Sequence, residues 1–309
     1  MGEPFIFIWQ NNDININPPY EHILMKLLLL DRDFHHKNRA ALYAYKSIQI
    51  TTFYSPDELT RFNLSEYDAV YSPTYPIDVS KYSNTRFIFG PHFSVFPENN
   101  LQLIKGLNSV YIQPSKWAVD VWLTNPLCKQ LDIRPVPFGL DTITFNEIKP
   151  LDQRNEVFVY YKTRAHEDLQ FIKDKLHALG ITYKLFSYDD RYDEAEYHCC
   201  LQNAKYGIWV GRHESQGFAL EEALSCNVPL LVWDVLSMNQ EIGPNYADIP
   251  ATAIPYWNSR CGEIFYKKDH FDYAYRLFMS KLRRFKPREY VLSNLTMEKC
   301  KQEFLKLLK

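Results

Sequence analysis

The chain has 309 residues, of which 46% are hydrophobic and 23% charged, and its formal net charge is −2. That length accommodates two ordinary domains with sizeable cores, and the composition is that of a globular protein. The near-neutral balance supplies no global field for nucleic acid or for an anionic membrane surface. The cysteines Cys128, Cys199, Cys200, Cys226, Cys261 and Cys300 show no C-x-x-C spacing and no neighbouring histidine pattern for zinc, so reduced cytosolic thiols are expected.

Met1-Gly2-Glu3-Pro4 lacks a charged region followed by a long apolar run, and the apolar stretch 23–30 is short and interrupted by Lys26. Neither a secretion signal nor a bilayer-spanning helix is expected, which makes the sequons at Asn63 and Asn294 chance matches. The short apolar run 5–9 is bounded by polar residues and predicts a buried parallel strand. Its exit, Gln10-Asn11-Asn12-Asp13, has no glycine, which disfavours a G-x-G-x-x-G loop and a nicotinamide or flavin enzyme. A helix is expected over 20–31, strands at 47–53, 69–72, 86–89 and 109–113, and a helix over 117–124 with Ser115 as its N-cap. The segment 140–155, rich in Pro and Asp, reads as an interdomain connection. A second alternating series follows: strand 157–161, helix 168–179 closed by Gly180, strand 182–186, helix 193–203 and strand 206–210. Helices over 270–285 and 297–308 end the chain. Such alternation predicts two α/β units with open, doubly wound parallel sheets, facing across a cleft at their strand C-terminal ends.

The most informative segment is His213-Glu214-Ser215-Gln216-Gly217-Phe218-Ala219-Leu220-Glu221-Glu222. Gly217 opens a predicted helix over 218–226, Asn227 suits its left-handed close, and Pro229 blocks continuation into the apolar strand 230–233. The unpaired amides at the helix start, at Gly217, Phe218 and Ala219, suit a phosphate. Glu222 lies one turn beyond Phe218, about 5.4 Å along the axis, roughly the step from a diphosphate to its ribose. Glu214, on the loop before the helix, faces a sugar instead. Carboxylates accept hydroxyls in pairs, so the order hydroxyl, phosphate, hydroxyl suits a nucleotide-sugar.

This segment resembles the donor-binding signature of retaining glycosyltransferases of the family 4 type, which pair two Rossmann-like domains in the GT-B arrangement. Ser109-Val110-Tyr111-Ile112-Gln113-Pro114-Ser115-Lys116-Trp117, the stretch from Arg134 to Phe145 and Pro255-Tyr256-Trp257 are similar to the strand, hinge and closing segments of that family. The resemblance implies an acceptor-side domain over 1–145, a nucleotide-sugar donor domain over 146–290 and a closing helix over 291–309 that packs back on the first domain. It implies a hexosyl- or pentosyltransferase using a nucleotide diphosphate-sugar, with a glycan, lipid-linked or protein acceptor.

Lys162 and Arg164 follow the first strand of the second unit and resemble the basic pair that holds the donor diphosphate, although the order of the two residues departs from the usual one. His92, in Phe89-Gly90-Pro91-His92-Phe93, resembles the histidine that faces the donor sugar. The catalytic set expected is therefore Glu214, Lys162, Arg164 and His92, with Gly217, Phe218, Ala219 and Glu222 binding the donor. Retaining transfer in this family is thought to pass the acceptor proton to the leaving phosphate, so no protein base is needed. Asp31-Arg32-Asp33 and Asp189-Asp190-Arg191 read as solvated turns, so neither metal nor cofactor is expected. A cytoplasmic protein follows, with the basic run Lys281-Leu282-Arg283-Arg284-Phe285-Lys286 leaving peripheral contact with a membrane surface open. Two alternatives stand beside transfer: a binding protein that keeps the nucleotide-sugar without reacting it, and a nucleotide-sugar epimerase of the same fold.

Overall fold

The structure, a computed structural model, describes residues 24–91 and 101–308, so the strand expected at 5–9 and His92 lie outside the described residues. Chain order gives β1 (Met25–Leu30), α1 (His36–Tyr43), β2 (Ile48–Phe53), β3 (Ala69–Ser72), β4 (Phe87–Phe89), α2 (Leu101–Ile104), β5 (Ser109–Gln113), α3 (Lys116–Thr124) and β6 (Ile133–Pro135). These six strands form one sheet in the order β2-β1-β3-β4-β5-β6, every pair parallel. The second series is β7 (Glu156–Lys162), α4 (His166–Ala178), β8 (Lys184–Ser187), α5 (Glu194–Leu201), β9 (Ala204–Gly211), α6 (Phe218–Ser225), β10 (Leu230–Trp233) and β11 (Gly262–Phe265). It builds a five-stranded parallel sheet ordered β11-β10-β9-β7-β8. The chain closes through α7 (Phe271–Lys281), α8 (Pro287–Asn294) and α9 (Met297–Leu305). Among the described residues no helix is long and apolar enough to cross a membrane.

The helix expected over 20–31 is corrected: residues 25–30 are β1, flanked by β2 and β3 in the sheet. Leu27, Leu28, Leu29 and Leu30 are all fully buried because a parallel strand with layers on both faces needs apolar side chains on both, so the run does not alternate. A leucine run reads equally as helix, and length is what decides between them. The loop that leaves β1, Asp31-Arg32-Asp33-Phe34-His35, is also free of glycine. Ser115 occupies the N-cap position of α3 without a side-chain bond to the helix, whereas Asp193 caps α5 by accepting from the Glu196 amide at 2.7 Å.

One apolar cluster runs through both sheets, from Leu27, Leu29 and Ile88 by way of Val136, Phe138 and Leu140 to Phe158, Leu220 and Val232, and on to Val291, Phe304 and Leu307. The last helix lies against the first sheet. The Phe304 ring meets Tyr71 at 5.5 Å, and the Arg86 guanidinium donates to the Leu307 carbonyl at 2.9 Å. Burying a side chain such as Phe304 contributes roughly 1.5–3 kcal/mol. The connection is fixed from behind by Arg288 of α8, whose guanidinium donates to the carbonyls of Thr142, Phe145 and Ser225 at 3.1, 3.0 and 2.7 Å.

Two glycines separate steric from conformational demands. Gly262 begins β11 at φ +151°, where a Cβ would lie 1.8 Å from the Leu230 carbonyl oxygen; Gly180 closes α4 at φ +66° with nothing within 4 Å. Gly262→Ala is expected to cost about 3 kcal/mol or more, since backbone must move, and Gly180→Ala about 1 kcal/mol, the left-handed penalty alone. Urea unfolding of the two variants checks this, and equal losses would contradict it.

Candidate functional site

The two sheets meet at a cleft of about 350 Å³, lined from the first lobe by His35, His36, Lys37, Asn38 and Pro114. From the second lobe come Tyr160, Lys162, Tyr188, Trp209, Arg212 and the run from Glu214 to Ala219, among others. The second-lobe residues sit where β7 and β9 end, as a doubly wound sheet requires of a ligand site.

Gly217 is the N-cap of α6 at φ +88°, ψ 51°. A left-handed residue lets the chain reverse out of the Glu214 loop and start the helix at once, and a side chain there would be strained even where space exists. The helix so opened presents the amides of its first turn, which have no partner within the helix, together with its positive dipole end. Phe218 and Ala219 are half-buried at this opening, and the Phe218 ring lies parallel to His35 across the cleft at 6.0 Å.

Glu214 is held by its backbone: its amide donates to the Thr252 carbonyl at 3.0 Å, and its carbonyl accepts from the Trp117 indole of the first lobe at 2.8 Å. The Thr252 loop is itself fixed by Asp234, whose carboxylate accepts from the amides of Val235 and Ala253 and from the Thr252 hydroxyl at 2.7–3.1 Å. So anchored, the Glu214 side chain meets Lys162 Nζ at 2.6 Å, and that ammonium also lies 4.2 Å over the Tyr188 ring. Tyr160 and Trp209, stacked at 3.9 Å and 5°, line the cleft beside them.

Glu222 is 3% exposed and its carboxylate meets Lys37 Nζ, from the other lobe, at 2.6 Å. Burial pushes the Glu222 carboxyl up to about 7, with Lys37 acting in the opposite direction. His213 is buried, and desolvation with the nearby cations Arg212 and Lys162 brings its imidazole down to about 3, so it is neutral and shapes the loop. His35, although its surface is exposed at the cleft, is lowered to about 4, by desolvation first and then by His36 and Lys37.

Arg164 departs from expectation. Its side chain is buried away from the cleft lining, donates to the carbonyls of Gly211 and Trp233 at 3.3 Å each, pairs with Asp168 at 2.9 Å and lies over the Trp233 ring. The reason is local: Thr163 takes φ +48°, its amide fastened to the Asp189 carboxylate at 3.2 Å, and the chain then turns toward α4. Asp189, one of the acidic near-misses, thus serves the backbone. The cations that do line the cleft with Lys162 are Lys37 and Arg212. Arg212 follows β9 directly and pairs with Glu241 at 3.2 Å. Its place at a strand end was the available signal; for Lys37 the missed α1 removed it.

No family model matches the chain, and no curated protein matches it. Solved structures share its fold. Sucrose-phosphate synthase from Thermosynechococcus elongatus superposes with a TM-score of 0.56 at 10% identity, over 92% of this chain and 98% of its own. The catalytic domain of starch synthase IV from Arabidopsis thaliana gives 0.53 at 14% identity, over 89% and 77%. The N-terminal domain of trehalose-6-phosphate phosphatase from Candida albicans gives 0.52 at 11%, over 93% and 91%. The fold is therefore two parallel-sheet α/β domains in the GT-B arrangement.

The raised Glu222 carboxyl has a signed consequence for stability. Because its value in the fold, about 7, lies above the ordinary 4.5, its contribution is fully present below about pH 4.5 and is lost as pH rises through 7. Glu222→Gln is neutral throughout. The unfolding free energy of the parent chain minus that of Glu222→Gln is expected to fall by on the order of 3 kcal/mol between pH 4.5 and 7.5. Urea midpoints at both pH values and at pH 6 check it, and a difference that grows with pH would contradict it.

Proposed function

We propose that the chain is a glycosyltransferase that moves a hexosyl or pentosyl unit from a nucleotide diphosphate-sugar to a hydroxyl of a glycan, lipid-linked or protein acceptor, with retention and without a metal ion. The observation that carries this reading is the cleft itself: the opening residues of α6, Lys162, Lys37, Arg212 and Glu214 line it together, while Glu222 lies further along α6, buried and joined to Lys37. The starch synthase IV domain of the same fold is bound to ADP and acarbose.

Transfer breaks the bond between the anomeric carbon and the diphosphate oxygen and forms one from that carbon to the acceptor oxygen. Negative charge gathers on the departing phosphate, where Lys162 and the helix amides stabilise it more than in the ground state. The acceptor proton passes to that phosphate on the same face of the sugar, which accounts for retention and leaves no step for a protein base. Glu214 accepts hydroxyls of the donor sugar and fixes the Lys162 ammonium; Glu222 accepts the ribose hydroxyls. The cations already at the cleft supply the counter-charge that a metal would otherwise provide.

A thermal-shift panel of nucleoside diphosphates and nucleotide-sugars is expected to give a positive response for one base, since a ligand at 100 times its Kd adds about 2.7 kcal/mol. Lys162→Met is expected to lower kcat for nucleotide release by about 10²–10³-fold. A flat panel would refute the reading. Binding without release of free nucleotide in the presence of acceptors would identify a binding protein, and NMR of the product would expose an epimerase.

A further inference from the structure

The basic run that begins at Lys281 lines no part of the cleft, yet the fold gives some of it a setting of its own. Leu282 and Phe285 are buried in the second core and Lys281 pairs with Glu263 of β11 at 2.7 Å, so the short turn Leu282–Arg284 that follows α7 is pinned at both ends. Arg283 and Arg284 are left exposed. They line a hollow of about 450 Å³ together with Lys205, the second residue of β9, and Leu151, Met279 and Leu282 supply its apolar part. That volume is in the range of small-ligand sites. Its charge sets it apart from the rest of the lobe. Other surface lysines there are paired, Lys175 with Asp272 at 2.7 Å and Lys184 with Glu156 at 2.9 Å. Lys205, Arg283 and Arg284 form no ion pair and no side-chain hydrogen bond among the described residues, although three cations face one carboxylate in the lining, that of Asp152. Like charges brought together from a strand and from a turn distant in sequence repel one another. An anion relieves that repulsion, and two guanidinium groups offer phosphate oxygens the paired donors that suit them.

We propose that this hollow is a binding site for a phosphate ester, its oxygens held by Arg283, Arg284 and Lys205 and its organic part laid against Leu151 and Met279. The site is separate from the cleft, because β9 begins beside Lys205 and ends at Arg212, and it does not depend on what the cleft binds. A soluble phosphate ester and the headgroup of an anionic lipid carry the same chemistry, and two arms of one test tell them apart.

Calorimetric titration of the full chain with glycerol 3-phosphate probes the soluble source. Flotation with vesicles of phosphatidylglycerol in phosphatidylcholine, against phosphatidylcholine alone, probes the lipid. At least one of the two is expected to bind, and more weakly as salt rises. Arg283→Gln, Arg284→Gln and Lys205→Gln should each weaken that binding by about tenfold, the worth of a hydrogen bond to a charged group. Lys162→Met in the cleft and Lys129→Gln, an exposed lysine of the first lobe, are expected to leave it within about twofold of the parent. Circular dichroism melts establish that each variant is folded, and the three substitutions at the hollow are independent of one another should any one fail. Binding lost in Lys162→Met and kept in the arginine variants would place the phosphate in the cleft and overturn the proposal. So would a loss in Lys129→Gln equal to that in the arginine variants, which would mark a general effect of charge, and so would a parent chain that binds neither probe. None of these results touches the nucleotide-sugar reading, which stands or falls on the thermal-shift panel.

Discussion

A carboxylate buried without a counter-charge costs several kcal/mol once ionised, and two carboxyls, Glu214 in the cleft lining and Glu222 on α6, are nearly inaccessible to water. Each is held at 2.6 Å by a lysine, but the lysines differ in origin: Lys162 ends a strand of the same lobe, whereas Lys37 reaches across from the other. One pair is therefore intrinsic to the second sheet and the other spans the two lobes. The rest of the site is subordinate to this. Asp234 fixes the Thr252 loop, Thr252 fixes the Glu214 backbone, and Trp117 locks the same backbone from the first lobe. Removing a partner from either pair would strand a charge, which explains why so many backbone groups are spent on keeping the carboxylates in register.

Much of the second sheet was legible because its strands and helices have separate signals. The apolar strand at 230–233 and the helix that begins at Phe218 appear where Gly217, Asn227 and Pro229 put their ends, and Asn227 does take φ +59°. The first sheet was less legible at its centre. β1 is a leucine run whose burial on both faces erases the alternation that distinguishes strand from helix, and α1 has weak amphipathicity, with only Asn38, Ala41 and Leu42 buried. With α1 went Lys37. Arg164 illustrates a different limit: its proximity to Lys162 in sequence was visible, but the left-handed Thr163 between them turns the two side chains to different surroundings, and no pattern of residue types announces a positive φ at threonine.

The two lobes are joined by polar ties as well as by the shared apolar cluster. The Gln216 side chain accepts from the Phe138 amide at 3.0 Å and donates to the Phe138 carbonyl at 2.7 Å, closing a paired amide contact between the loop before α6 and the connection between lobes. The same amide nitrogen donates to Glu221 at 3.2 Å, and burial raises that carboxyl well above its ordinary range. Gln216 also lines the cleft. The opening of α6 is thus registered to the segment that joins the lobes. Tyr256 donates to the Pro114 carbonyl and the Tyr45 hydroxyl accepts from the Gly139 amide at 3.2 Å, adding ties on either side. Small displacements at such a junction are transmitted because packed interiors resist continuous deformation.

The basic run from Lys281 to Lys286 can be placed by the same topology. Leu282 and Phe285 are buried in the second core and Lys281 pairs with Glu263 of β11 at 2.7 Å, so half of the run is structural. Arg283 and Arg284 line a separate hollow with Leu151 and Lys205, residues that lie where β7 and β9 begin. The cleft lies where those strands end. In a parallel sheet all strands run one way, so the two places are separated by the length of a strand, about 23 Å for seven residues at roughly 3.3 Å each. Side chains of the basic run therefore lie about a strand's length from the cleft and do not line it. The cationic chemistry of the site has to come from Lys162, Lys37 and Arg212, which are the cations that the fold brings to its strand ends.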